Sequence, residues 1–327
     1  MSKFDVCALG ELLIDFTENG ISSQGNPIME ANPGGAPCNV LAMLANLGYK
    51  TSFIGKIGND IFGRQLKQAV SEAGIEVSGI AVDNSVNTTL AFVHTLPDGD
   101  REFSFYRNPG ADMMLSENEV NEEYIKNSRI FHYGSLSMTN KICEDATKKA
   151  IAIAEKNGVL RSFDPNLREN LWSSLKEAKE KIKFGLEHCD ILKISDNEIQ
   201  WLTGEYNLDN AVQKLKRQYN NIPLIFLSCG KNGSMAFSGT GSAFSPVIPV
   251  KTIETTGAGD TFCGCILGEI LRRGFKDFSN VELTEILHFA NAAAAIITTK
   301  KGALKVMPKL GDINKLLSKE TKQDSYI

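Results

Sequence analysis

Along this chain short apolar runs alternate with stretches of helical periodicity. Residues 4–10 ("FDVCALG"), 51–58, 129–134, 159–164, 190–195 and 222–230 are compact apolar runs of strand length. Between them, 37–47, 61–73, 140–157, 173–188 and 208–219 repeat their apolar positions with the period of a helix. Strand, helix, strand at this spacing predicts an α/β fold, a mainly parallel central sheet with helices on both faces. Ligands of such sheets gather outside the carboxyl ends of the strands, so candidate chemistry is sought there.

Two segments break the rhythm. Residues 11–33 and 80–109 alternate apolar and polar side chains, the second around the turn signal "PDGD" at 97–100. They predict a small separate sheet inserted into the main domain, placed either as a lid over the site or as a plain surface sheet. The polar residues 318–327 are expected to form a flexible tail. The whole chain, 1–327, is expected to form one domain carrying that lid.

Composition narrows the function classes. The 327 residues carry a net charge of −4, and nucleic-acid binding normally needs a basic face, so no nucleic-acid partner is expected. The most apolar stretch, 286–297, is interrupted by His288 and Asn291 and is shorter than a membrane span. Seven cysteines lie mostly in apolar contexts with no CxxC pair, the usage of a reducing compartment, so a cytoplasmic location is expected. Four scattered histidines offer no metal-ligand spacing.

The chemistry concentrates in glycine turns. "TTGAGDTF" at 255–262 opens an apolar helix, and Gly257, Ala258 and Gly259 are small enough for backbone amides to approach an anion. It lacks the Gly-Lys-Ser/Thr of a phosphate loop and the third glycine of a dinucleotide fingerprint. Asp260 at its centre is either a first-turn acid complementing the helix dipole or a base beside an anion hole. A second turn, "NPGGAPCNV" at 32–40, leads into a helix. There Gly34 and Gly35 would let a polyhydroxylated ligand approach, Asn39 offers a donor and an acceptor, and Asp15 in "GELLID" would accept paired hydroxyls.

Taken in order, "PGGAPCNVLAMLANLG", "GNDIFG", "TTLAFV", "FSFYRNPGADMML", "SFDPNLRENLW" and "ETTGAGDTFCG" resemble the ribokinase-like (PfkB) family of carbohydrate kinases, most of all its fructokinases. The resemblance covers nearly the whole chain. It implies an ATP-dependent sugar kinase using Mg²⁺, with Asp260 as base, the amides of 257–260 as anion hole and Arg168 offsetting charge. It implies sugar contacts from Asp15, Gly34, Gly35 and Asn39, and from Arg107 reaching in from the lid. Asn166, Lys193, Ser195, Ser228, Gly230, Gly233 and Asn291 would serve the nucleotide, and Glu198 would hold Mg²⁺ through water. Ser195 stands where many members have Asn. Glu254 replaces the usual Asp in a loop whose carbonyls bind a monovalent cation in many relatives, a swap compatible with K⁺. Fructose is the expected substrate, with 2-keto-3-deoxygluconate, a ribosyl compound or a nucleoside as alternatives. A lid arginine would suit a sugar acid as well as fructose. The competing reading from another class is a sugar-binding regulator that has lost catalysis, and the intact Asp260 with its glycines counts against it. Exposed lid edges could pair two copies into a homodimer, or a larger lid could shield its own edge.

Overall fold

The computed structural model describes residues 3–95 and 101–324. Its main sheet is parallel at the centre. Strand β1 (Val6–Leu9) pairs with β4 (Thr51–Gly58) on one side and β9 (Ile130–Gly134) on the other. Beyond β9 follow β10 (Leu160–Asp164), β11 (Ile191–Ser195) and β12 (Leu224–Ser228), all parallel. Two antiparallel strands, β13 (Ser234–Phe237) and β14 (Ser242–Ser245), finish that edge. At the opposite edge β4 also pairs with β5 (Ile75–Glu76) and β6 (Ile80–Asp83).

Alternation along the strands divides the core into two layers. Val6 and Ala8 face one apolar cluster, while Cys7 and Leu9 face the other. The first layer holds α1 (Ala36–Asn46), α2 (Ile61–Glu72), α8 (Ala258–Arg273), α9 (Asn280–Thr298) and α10 (Leu310–Asp324). The second holds α3 (Glu122–Lys126), α4 (Lys141–Lys156), α5 (Leu175–Glu187), α6 (Asp196–Thr203) and α7 (Leu208–Gln218). Burial of both sheet faces is why the strands read as continuous apolar runs.

A four-stranded sheet stands apart, in the order β3 (Pro27–Gly34), β2 (Leu13–Ile21), β7 (Leu90–Thr95) and β8 (Arg101–Tyr106). The inserted sheet is therefore present, with shorter limits than the sequence suggests. Ile80–Asp83 belongs to the main sheet, because its residues complete hydrogen bonds along β4. The "PDGD" turn lies outside the described residues.

The expected tail begins in helix, since α10 continues to Asp324. The apolar stretch at 286–297 lies within α9, whose 19 residues are long and apolar enough to cross a membrane. Half of that window is buried in the fold, where α9 packs on α8.

Candidate active site

Helix α8 starts at the level where the parallel strands end. Gly257 caps it at φ 76°, a left-handed conformation, and a Cβ there would come within 2.9 Å of the Ala303 side chain. Glycine at this position lets the chain turn sharply into the helix. The amides of Gly259 and Asp260 lie in the first turn, where no intrahelical acceptor exists, so they and the helix dipole favour an anion ahead of the helix. Ala258, expected to share in the anion hole, instead donates its N–H to the Thr255 carbonyl at 3.2 Å.

Asp260 occupies the first turn of α8, and its Oδ2 accepts a hydrogen bond from Asn39 Nδ2 at 2.8 Å. Asn39 is carried by α1, which packs along α8. Burial raises the Asp260 pKa above the usual carboxylate value; the Asn39 bond, Lys193 and Arg168 oppose the rise. A carboxylate moved toward the operating pH is a better proton acceptor than an exposed one. The Oδ1 of Asn39 is buried with no protein partner, which leaves an acceptor available beside the acid.

Two cavities flank this helix end. The first, about 630 Å³, is walled by Leu13, Asp15, Thr17, Val93 and Phe105 of the small sheet and floored by Gly35, Asn39 and Asp260. The second, about 520 Å³, is lined by Ser195, Ser228, Gly230, Gly233 and Asn291 and by an apolar wall of Val247, Ile248, Val250, Phe262 and Ala295. Thr252, Thr255 and Gly259 belong to both. A group reaching from one cavity toward the other therefore passes the N-terminus of α8.

The first cavity mixes apolar side chains with acids and amides that can meet hydroxyls. Burial pushes Asp15 up to about 7, against Arg168 and with help from Asp260 and Glu254. Gly35 sits at φ 124° with its α-carbon so close to the chain that a Cβ would lie 2.4 Å from the Glu11 carbonyl. Gly34 does not line the cavity, but it backs onto Asp15 Oδ2. The second cavity suits a flat heterocycle, and the first turn of α8 suits its phosphates. Among the described residues no group of three or more His, Cys, Asp or Glu forms a metal cage. Mg²⁺ fits only as an ion held mainly by phosphate and water oxygens.

Several expected positions change. Asn166 and Lys193, expected at the nucleotide, line the first cavity together with Arg168. Asn291 lines the second, but its side chain ties neighbouring segments together, donating to the Ser245 and Pro246 carbonyls and accepting from Ser234 Oγ. Glu198 lines neither cavity. Its Oε1 accepts from the Leu167 amide at 2.7 Å, and its Oε2 accepts from Ser195 N and Oγ. Ser195 and Glu198 form a capping box on α6. That Ser-x-x-Glu signature was legible in the sequence and accounts for the serine that departs from the family pattern.

Arg107 requires the largest correction. It does not reach in from the lid: it is buried, its guanidinium pairs with Asp112 at 2.7 Å, and it donates to Thr139 Oγ1 and the Leu136 carbonyl. Asp112 also accepts from Thr89. The arginine thus fastens the base of the small sheet to the main domain.

Three acids escaped sequence reasoning as site components. Glu11 is buried on the first cavity, accepts the Ala36 amide at 2.8 Å, and is pushed up to about 7 by burial. Glu254 was noted only for its loop, but its side chain also lines the first cavity, where it accepts from Thr256 Oγ1 and from the Gly302 amide. Asp164 pairs with Lys193 beneath the site. Only the place of Glu11 within "GELLID", four residues before Asp15, could have signalled the first.

Comparison with known proteins agrees with this geometry. The model of the pfkB family carbohydrate kinases matches residues 3–310. Fructokinase-2 of Solanum lycopersicum is 40% identical over 318 residues, 95% of each chain. Fructokinase of Xylella fastidiosa with bound ATP superposes with a TM-score of 0.88 at 29% identity, over 98% of this chain and 100% of that one. A double mutant of Vibrio cholerae O395 fructokinase, in a fructose, ADP and potassium ion bound form, gives 0.85 at 27% identity, covering 97% and 99%. With the family model spanning nearly all of the sequence and the fold shared from end to end, this chain belongs to the pfkB family of carbohydrate kinases.

Proposed function

We propose that this protein transfers the γ-phosphoryl group of MgATP to the 6-hydroxyl of D-fructose. The reading rests above all on Asp260, a partly desolvated acid at the N-terminus of α8, where a cavity of mixed polar and apolar lining meets a mainly apolar one. The first cavity takes the sugar and the mainly apolar second one the adenine. Asp15, Gly35 and Asn39 hold sugar hydroxyls, and Ser195, Ser228, Gly230 and Gly233 serve the nucleotide. Asp260 accepts the hydroxyl proton as the O–P bond forms, while the Gly259 and Asp260 amides, Lys193 and Arg168 face the transferring charge. Mg²⁺, when bound, neutralises the phosphate oxygens. Glu198 acts on it at most through water, since both its oxygens already accept backbone or hydroxyl protons.

The choice of a neutral sugar over a sugar acid follows from charge. Glu11, Asp15, Glu254 and Asp260 all line the first cavity. The arginine that would have met a substrate carboxylate is engaged with Asp112. Arg168 and Lys193 line the same cavity but face the transferring phosphoryl charge, so a substrate carboxylate would meet four acids with Arg107 unavailable to it. The fructokinase relatives support the same choice.

Potassium is proposed at the 252–254 loop, as the Vibrio cholerae structure holds that ion. The Glu254 side chain is fixed by Thr256 and Gly302, and ligation there would come from carbonyls. A cytoplasmic location fits the seven buried, unpaired cysteines. Pairing of two copies through the lid fits the exposed Ile21, Ile28 and Tyr106 on its strands.

The test is ADP release from MgATP with fructose, 2-keto-3-deoxygluconate, ribose, adenosine, glucose or no sugar, each with wild type and Asp260→Asn. The expected result is turnover with fructose, lowered by about 10²–10⁴-fold in the variant. Turnover with the keto-acid in preference to fructose refutes the substrate. Sugar binding without turnover refutes the kinase reading.

A further inference from the structure

Beneath the N-terminus of α8, the Lys193 that faces the transferring charge is half of a buried ion pair, and its acid, Asp164, has no part in the transfer step as described. Lys193 Nζ and Asp164 Oδ2 are 2.9 Å apart, with side chains 8% and 4% exposed. They sit one residue beyond the paired Phe163 and Leu192 on neighbouring parallel strands β10 and β11. Phe163 and Leu192 face the layer of α4 and α5, so strand alternation turns Asp164 and Lys193 toward the layer of α8. Lys193 lines the first cavity. Its Nζ would lie only 3.2 Å from a Cβ placed on Gly259, which locates the ammonium directly against the first turn of α8.

The other oxygen of Asp164 has a separate task. Oδ1 accepts the amide of Asn166 at 3.2 Å, and Asn166 holds the left-handed φ of 44°. This turn carries Asn166 and Arg168 onto the cavity wall. It is fastened at two further points, by Glu198 at the Leu167 amide and by Ser135 Oγ at the Pro165 carbonyl. One carboxylate thus holds one cation directly and supports the turn that presents a second. His132, buried on β9, is neutral, held at about 3 by burial and by Lys193, so it does not compete as a cation.

We propose that Asp164 is a positioning residue for phosphoryl transfer, fixing the Lys193 ammonium under the anion site at the N-terminus of α8. The inference rests on the kinase reading above. A lysine side chain is flexible and its charge is compact, so without an anchor it would occupy many positions around the anion site. Anchored by Asp164, its ammonium faces the place where charge moves between the two cavities. Because Asp164 does not touch substrate, it acts only through Lys193 and the Asn166–Arg168 turn.

Steady-state kinetics with MgATP and fructose on wild type, Asp164→Asn, Lys193→Met and the double variant test this. Asp164→Asn keeps an acceptor for the Asn166 amide and removes only the charge that anchors the lysine. A drop of about 100-fold in kcat is expected in each single variant, with both KM values within about threefold of wild type. The double variant should be no slower than Lys193→Met alone, because an acid acting through the lysine has nothing left to position. Each single change strands a buried charge, while the double removes both, so it should melt higher than either and remain assayable if a single variant does not fold. Wild-type kcat in Asp164→Asn, or a double variant slower than Lys193→Met by the full separate factor, overturns the inference and leaves the kinase reading standing. Absence of turnover in the wild type with every sugar refutes both.

Discussion

The two adjacent glycines of the sugar-side turn provide a sharp test, because the structure assigns them different physical tasks. At Gly35 the backbone has φ 124°, and a Cβ would stand 2.4 Å from the Glu11 carbonyl oxygen and 3.2 Å from the Leu12 α-carbon. Ordinary contact begins at 3.4 Å, so the backbone at the entry to the lid must retreat by about 1 Å. Strained φ costs about 1–3 kcal/mol, and forcing a methyl into packed backbone costs about 1–3 kcal/mol more. For a chain of this size, Gly35→Ala should therefore lower Tm by roughly 3–9 °C. At Gly34 the nearest atom is a side-chain oxygen, Asp15 Oδ2 at 2.2 Å, which can rotate away. Gly34→Ala should leave Tm within about 2 °C of wild type and instead raise the KM for fructose by displacing Asp15. Thermal melts followed by circular dichroism, with fructose kinetics on the same samples, separate the two. An unchanged Tm in Gly35→Ala, or equal destabilisation by both, would refute the reasoning.

Two further outcomes are expected. Burial raises both Glu11 and Asp15 to about 7, so below an ordinary carboxylate pKa both are protonated whether folded or unfolded. As pH rises from about 4 through 7, the unfolded chain releases these protons first, and the unliganded protein loses stability across that window. Asp15→Asn should therefore raise Tm more at pH 8 than at pH 4.5, and an equal gain at both pH values would contradict the shift. Arg107→Met strands the buried Asp112 carboxylate and should cost about 3–5 kcal/mol of stability in chemical denaturation. A variant with full stability and only a weakened sugar KM would restore Arg107 to the substrate.

Much of this was legible in the chain. The six apolar runs became β1, β4, β9, β10, β11 and β12, because strands buried on both faces leave a continuous apolar mark. The five periodic segments became α1, α2, α4, α5 and α7, with ends shifted by a residue or two. The edge strands β13 and β14 were missed, since four residues each, "SMAF" and "SAFS", are too short for a periodic signal. The shift of Ile80–Asp83 from lid to main sheet was equally hidden, because an alternating segment does not say which edge it will pair with.

What the sequence by itself determined is local or repeated: the layering of sheet and helices, the inserted sheet, the glycine turn with its acid, and the order of motifs that marks the family. Propensity, periodicity and capping act over a few residues, so they leave their record in a few residues. The tertiary structure alone decided which charges meet. Asn39 finds Asp260 across 221 positions and Glu11 finds the Ala36 amide across 25. Arg107 turns to Asp112 instead of the cavity, and Lys193 settles on Asp164. A buried charge must be paired or hydrogen-bonded by whatever the fold places beside it, and that neighbour is set by the packing of strands and helices far apart in the chain.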